Sequence, residues 1–468
     1  MGKLTLGIDL ACRADHRASL ADEHGVLVWQ QRRFRTTKDD LDALAREIGP
    51  EDELTVVLEP TRNAWVPVAA HFVAVGARVV VVPPEQAADL RRYYSKHTKT
   101  DGLDSRLLAR LPLLHPDGLV SVDRLGPADA LKRAVRRRTR LVDDRTASHQ
   151  RIDALLELLG PGYAAAFGTG SYTKAALAVL SRYADPRALR RVGRNRLTAL
   201  VSKASNGHMG DAKAQEMLKA ADEALALWQG GQLDLDELAW DIASEVRIAQ
   251  ALEAEVERME TRIAELYERA DPEGIMASIP GVGPILGAGI LGRLGDARRF
   301  ANLSGMRSFS GMVPGTDQSG TAEGSPGLTK SGDPGLRRDL YLAAEHARLI
   351  DPQLAAKYHR LVMQRGLHHT SALCHLSTTM LTRLGACWRR GERYVLRDVD
   401  GREISETQGR AIVTARYKIP EEIRRARRRT RKAQQLRHGP SRRRKESTKV
   451  APACDSTRTE TSGGAIAS

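Results

Sequence analysis

The chain has 468 residues, 41% hydrophobic and 28% charged, with a formal net charge of +15, long enough for two or three domains with proper cores. No apolar run approaches the roughly 18–20 residues that cross a bilayer, and the start shows no signal-peptide cleavage site. Cys12, Cys374, Cys387 and Cys454 form no Cys-x-x-Cys pair, which argues against a disulfide framework and structural zinc and fits a reducing cytoplasm. The positive charge is uneven: Glu421 to Ser468 carries 14 Lys or Arg against 5 Asp or Glu, a net +9, leaving +6 for the preceding 420 residues. Such a tail attracts any polyanion by counterion release and says little about a specific nucleic-acid function.

The first 120 or so residues alternate strand and helix patterns. Leu4–Leu10 reads as a strand, followed by Ala18–Ala21 and Val26–Phe34 around a turn at Glu23-His24-Gly25. A helix over Asp39–Ile48, a strand over Leu54–Leu58, a helix over Ala64–Val75 and an apolar strand over Ala77–Val82 follow, stopped by Pro83-Pro84. A hairpin followed by βαβ units predicts a mixed sheet flanked by helices. This is the element order of an α/β ribonuclease-H-like domain, although flavodoxin-like domains share parts of it.

Four carboxylates stand out in this region. Asp9 ends the first apolar run and Glu59 ends the second. Asp101 and Asp104 lie three residues apart, on one face of a helix. Hard divalent cations such as magnesium take oxygen ligands, and a pair of them roughly 3.5–4 Å apart clamps the attacking and leaving oxygens of a phosphodiester. Taken singly, such acids are commonly solvated strand ends or helix starts.

From Asp129 to about Leu159, apolar and charged residues recur at alternating four- and three-residue steps. A second seam, Leu252, Val256, Met259, Ile263 and Leu266, lies in a helix from about Leu235 to Ala270. Both have coiled-coil spacing, and the helical segment between them carries no chemistry that can be assigned. The basic runs Arg136–Arg138 and Arg190–Arg196 suit either nucleic-acid backbone or a solvated face. Next, Ser278-Ile279-Pro280-Gly281-Val282-Gly283-Pro284 sets Gly281 and Gly283 in a turn between two short helices, where backbone N–H groups can approach a phosphate. The pattern resembles a helix-hairpin-helix, with Ala288 one residue later than usual; an ordinary glycine-rich turn is the alternative. Downstream, Gln318-Ser319-Gly320 reads as a loop, and Lys330, Arg337 and Arg338 supply positive charge. His368, His369, Cys374 and His375 have no carboxylate company and read as packing or surface residues. Structure is expected to end near Pro420.

Together these motifs resemble transposases of the insertion-sequence one-ten family, the DEDD transposases also known as bridge-RNA-guided recombinases. The match rests on Asp9, Glu59, Lys99-Thr100-Asp101-Gly102-Leu103-Asp104, the Ser278–Pro284 run, Gly311-Met312-Val313-Pro314 through Gln318-Ser319-Gly320, and Thr329-Lys330-Ser331-Gly332. It extends over about residues 1–400. Ser105, where alanine is common, and Pro334, where an Asn-rich turn is usual, depart from it. The resemblance implies a ribonuclease-H-like (RuvC-like) domain over 1–125, a helical coiled-coil region over 126–270, a mainly α C-terminal transposase domain with a helix-hairpin-helix over 271–420, and a basic tail over 421–468. It further implies a Mg2+ site at Asp9, Glu59, Asp101 and Asp104, and Ser319 as a nucleophile that forms a phosphoserine link to DNA. Gly281, Gly283, Lys330, Arg337 and Arg338 are expected to contact nucleic acid. The implied partners are double-stranded DNA, a structured guide RNA and further copies of the chain, as a tetramer built from dimers. The alternatives are a related site-specific invertase, a metal-only RuvC-like junction nuclease in which Ser319 is dispensable, and a non-enzymatic binding scaffold.

Overall fold

The computed structural model describes residues 2–48, 53–82, 87, 101–114, 119–122, 129–300, 302–313, 317–319, 322–324 and 328–426; the side chains of 101–104, 120, 317–319 and 322–324 fall outside that description, as does the basic tail beyond 426. The chain divides into two compact units, Met1–Ala347 with Ser377–Leu396, and Arg348–Leu376 with Arg397–Ser468. Among the described residues no helix is long and apolar enough to cross a membrane.

The first unit opens with β1 (Lys3–Asp9), β2 (His16–Ala21), β3 (Leu27–Phe34), α1 (Lys38–Ile48), β4 (Glu53–Leu58), α2 (Trp65–Ala74), β5 (Arg78–Val81), α3 (Asp101–Leu114) and β6 (Val120–Ser121). They build one six-stranded sheet in the order β3-β2-β1-β4-β5-β6. β1, β4 and β5 run parallel, and β2, β3 and β6 pair antiparallel to their neighbours. The mixed sheet expected from the hairpin and βαβ pattern is present, with strand ends within two residues of those read from the sequence.

Period-two alternation assigns the faces of the sheet. Leu6, Ile8, Ala18, Leu20, Val56 and Leu58 pack with Leu41, Leu44, Val68 and Phe72 of α1 and α2. Val57 points the other way and packs with Leu108 and Leu111 of α3. Gly7 shares the face of Val57. A Cβ built on it would stand 2.2 Å from Ala109 N and 2.3 Å from Ser105 O, so the missing side chain is what lets the α3 backbone rest on β1. One strand over, paired with Gly7, the buried Ser19 shares a 2.9 Å hydrogen bond with Ser105. Removing either hydroxyl takes this buried bond from the other, and Ser19 Oγ also accepts the Gln31 N–H at 3.1 Å. Ser19→Ala and Ser105→Ala are each expected to cost about 1 kcal/mol, with a coupling of about 1 kcal/mol in a double-mutant cycle measured by chemical denaturation. A coupling near zero would show that the pair does not tie the helix to the sheet.

After the sheet comes α4 (Ala130–Glu157), then α5 (Pro161–Phe167), α6 (Lys174–Tyr183), α7 (Pro186–Val192), α8 (Arg194–Ala204) and α9 (Asp211–Leu227), and the long α10 (Leu235–Ala270). The five intervening helices close a core with the facing ends of the two long ones, centred on Ile152, Leu156, Leu180, Ile242 and Val246. α4 and α10 run antiparallel, because Arg138 pairs with Glu260, Arg145 with Glu253 and Arg151 with Glu245. Half-exposed pairs like these contribute little stability each but fix register. The unit continues through α11 (Pro284–Leu294), a single 3-10 turn (Ala297–Arg299), α12 (Leu303–Ser310), the hairpin β7 (Asp317–Ser319)–β8 (Ala322–Gly324), and α13 (Pro334–Ala347).

In the second unit, α14 (Pro352–His359) packs with α16 (Glu406–Arg416), and the first part of α15 (His369–Arg390) completes it. Here His369 is buried and its Nδ1 lies 2.6 Å from the Tyr358 hydroxyl, which is the packing role expected of it.

Candidate active site

Asp9 is the last residue of β1 and Glu59 the first after β4. The two strands are parallel neighbours with Ile8 opposite Leu58, so the two acids stand side by side at adjacent strand ends, about one strand spacing apart. Asp9 shares the parity of Gly7, and Glu59 that of Val57. Both therefore belong to the face of the sheet that α3 covers, and neither is buried.

The direction of α3 brings the other two acids to the same end. Arg110 donates from Nε to the Gly25 carbonyl at 3.0 Å, and Gly25 lies in the β2–β3 turn, beyond Ala21, which pairs with Thr5 near the start of β1. The C-terminal half of α3 thus lies over the beginning of β1. Its first turn, Asp101–Asp104, lies toward the end of β1 where Asp9 sits, one residue ahead of the Ser105 seated on Gly7. Among the described residues no three His, Cys, Asp or Glu side chains gather as a ligand set; the side chains of Asp101 and Asp104 lie outside that description. The donor chemistry fits a hard divalent cation, since every candidate ligand offers carboxylate oxygen and none offers sulfur.

Gly7 is the supporting residue that the motif reading passed over. An isolated glycine inside the strand pattern Leu6-Gly7-Ile8 signals close backbone approach, and that signal was legible beforehand.

The remaining candidates fall elsewhere. Ser319 ends β7 and pairs with Ala322, so only residues 320 and 321 connect the strands and the serine backbone stands at the hairpin tip. Lys330 is exposed with a left-handed backbone, φ 56°, held where its N–H donates to the Gly311 carbonyl at 3.1 Å. Arg337 is turned to the protein itself, donating from Nη1 to the carbonyls of Gly332 (2.7 Å) and Ser310 (3.3 Å). Arg338 is exposed and pairs with Asp339 at 3.3 Å. Gly281 has φ +81°, and a Cβ there would stand 2.6 Å from Ala347 N, so packing on the end of α13 already accounts for that glycine. Gly283 is exposed, precedes α11 and faces open space. The segment before it, residues 272–281, is a succession of turns and not the short helix anticipated there: Pro272, Gly274, Pro280 and Gly281 fall too close together for a helix to propagate.

The basic runs are largely answered from within the chain. Arg137 donates to Glu255 at 3.0 Å and Arg138 is bound to Glu260 across the α4–α10 pair. Arg190 pairs with Asp222 at 3.2 Å and Arg194 with Asp211. One hub was not anticipated at all. The buried Arg293 donates from Nη1 to Asp333 at 2.9 Å and from Nη2 to Thr139 at 3.0 Å. Its Nε lies 3.4 Å from Asp339, in ion-pair range but without hydrogen-bond geometry. Burial pushes the Asp339 carboxyl above its ordinary range, against the pull of Arg338 and Arg293. A Cβ on Gly335 would strike the guanidinium at 2.1 Å, so that glycine makes room for it.

Comparison with known proteins points to one family. The family model for the IS110 DEDD transposases matches residues 6–161, and that of the transposase IS116/IS110/IS902 family matches residues 274–359. The chain is 27% identical over 399 residues to an uncharacterised 44.8 kDa protein of insertion element IS116 from Streptomyces clavuligerus, covering 83% of this chain and 95% of that one. It is 28% identical over 366 residues to the 43.6 kDa protein of insertion element IS110 from Streptomyces coelicolor, covering 78% and 88%. A 42 kDa protein of IS900 from Mycobacterium paratuberculosis is 28% identical over 388 residues, covering 82% and 95%. With the carboxylate-bearing sheet matched by the first model and the Gly281–Tyr358 region by the second, in the same order along one chain, the protein belongs to the IS110 family of transposases, enzymes that cut and rejoin DNA.

Proposed function

We propose that this transposase cuts DNA at a divalent-metal centre held by Asp9, Glu59, Asp101 and Asp104 in a ribonuclease-H-like domain, with Mg2+ as the ion. The observation that carries the proposal is the shared end of the sheet: two acids on adjacent parallel strands, and two more in the helix turn that lies toward them. When bound, such ions stabilise developing charge on the phosphate oxygens. The chain's own part is to hold anionic oxygens on rigid strand ends and to seat the helix that brings the rest. The DEDD match over residues 6–161 favours this metal-centred cutting over a serine mechanism.

A second reading, resting on the family resemblance, keeps Ser319, whose backbone pairs with Ala322, as nucleophile. Its oxygen would bond to phosphorus while the bond to the 3′ oxygen breaks, the serine proton passing to that oxygen. The domain limits given above, the coiled-coil assignment, backbone contacts from Gly283, Lys330 and Arg338, a guide RNA and a tetramer belong to the same proposal and rest on the family resemblance.

The test is cleavage of DNA carrying the ends of the element by the native chain and by Ser319→Ala, with Mg2+ and with chelator. We expect chelator to abolish cutting, and Ser319→Ala to cut at near-native rates with no protein–DNA adduct from either chain. A variant that binds DNA but neither cuts nor forms the adduct seen with the native chain transfers the chemistry to the serine.

A further inference from the structure

We infer that Arg62, in the turn that follows Glu59, holds a backbone phosphate of the DNA strand beside the carboxylate centre. This contact rests on Asp9 and Glu59 forming the centre proposed above, and adds to it a residue that touches substrate.

The backbone singles Arg62 out. After β4 and Glu59 the chain turns over Thr61–Ala64 before α2, closed by a hydrogen bond from the Ala64 N–H to the Thr61 carbonyl at 3.1 Å. Arg62 is the second residue of that turn and has φ +48°, whereas Asn63 after it is not left-handed. A turn with positive φ at that position alone suits glycine, because a Cβ strains it. Three other described non-glycine residues have positive φ, and each has a local reason. Gln31 sits at a register shift between β2 and β3, its N–H donating to Ser19 Oγ at 3.1 Å. Asn206 is a residue type that tolerates the region. The Lys330 N–H is held by the Gly311 carbonyl. Arg62 is exposed and, among the described residues, makes no hydrogen bond or ion pair. Strain that nothing within the fold offsets is characteristic of positions that meet a ligand.

Place and charge identify that ligand. Three peptide units separate Arg62 from Glu59, so their Cα atoms stand no more than roughly 11 Å apart, about three nucleotide steps along a strand. DNA with its scissile phosphate at the ends of β1 and β4 carries its flanking phosphates past Arg62. Several acids at one end of a sheet repel a polyanion, and an arginine committed to none of them supplies the local attraction. Its planar guanidinium can grip two phosphate oxygens together. Arg35, just past the end of β3 at the same end of the sheet, is by contrast engaged by Asp15 at 2.8 Å. A phosphate contact of this kind positions the strand and reads no sequence.

The test is binding of a labelled duplex carrying the ends of the element to the full-length chain in chelator, with one phosphate at a time replaced by a neutral methylphosphonate. For the native chain we expect one replacement within about three nucleotides of the cut to raise Kd about five-fold. Arg62→Gly should raise Kd by about the same factor and lose its sensitivity to that replacement. The same variant should unfold about 2 °C above the native chain, since glycine relaxes the turn, which separates weaker binding from a folding defect. Native affinity in Arg62→Gly, undiminished sensitivity to every replacement, or a lower unfolding temperature overturns the inference. Asp9→Asn tells the two levels apart. Native cutting by that variant overturns the centre, whereas loss of cutting by Asp9→Asn beside native affinity in Arg62→Gly overturns the Arg62 contact alone.

Discussion

Asp9→Asn and Glu59→Gln are each expected to lower DNA cleavage by at least about a thousand-fold, equivalent to roughly 4 kcal/mol of lost transition-state stabilisation. The amides occupy nearly the same volume at partly exposed strand ends, so the packing of Leu6, Ile8, Val57 and Leu58 beneath them is unchanged. The native chain should gain thermal stability on titration with Mn2+ or Mg2+, because an ion that binds only the folded state stabilises it by mass action. The variants should lose most of that gain. Native cutting rates in either variant, or an undiminished metal-induced rise in unfolding temperature, would remove Asp9 and Glu59 from the centre.

How much of this was legible in the sequence differs by element. The first five strands of the sheet were, since β1, β4 and β5 are short apolar runs bounded by turn residues, whereas the two-residue β6 was not. Asp9 and Glu59 were legible as strand-end residues, but their adjacency depends on the parallel pairing of β1 with β4 and the placing of Asp101–Asp104 on the direction of α3, and neither is written locally. That direction is fixed by contacts far apart in the chain, Arg110 to Gly25 and Ser105 to Ser19, and no local pattern encodes them. The basic runs could not be resolved for a related reason. Arg136–Arg138 suit a solvent-facing or a polyanion-binding patch equally until α10, more than a hundred residues later, brings Glu255 and Glu260 across from Arg137 and Arg138. Gly281 and Gly283 read as equivalent halves of one turn. Structurally one is filled by α13 and the other is open, a difference set by tertiary packing alone. Arg293 sits in an apolar, glycine-rich helix, and nothing in its neighbours announces the two carboxylates that hold it.

Gly7→Ala is expected to destabilise the N-terminal sheet by about 3 kcal/mol or more and to reduce cleavage along with it. One methyl group suffices because the atoms it meets, Ala109 N, Ser105 O and Leu108 C at 2.2, 2.3 and 2.7 Å, are all backbone. A side chain rotates out of the way; a helix backbone moves only as a body. Displacing α3 opens the apolar contact of Leu108 and Leu111 with Val57, strains the Ser19–Ser105 bond, and shifts the turn that carries Asp101 and Asp104 relative to Asp9. Gly305→Ala is the matching control. It lies in a helix with its nearest neighbour, Asn302 Oδ1, at 3.7 Å, so added helix propensity should raise stability by up to about 1 kcal/mol. Chemical denaturation and hydrogen exchange of the β1 and α3 amides separate the two outcomes. If Gly7→Ala were as stable as the native chain, α3 would not be seated on β1, and nothing would hold the Asp101–Asp104 turn toward Asp9.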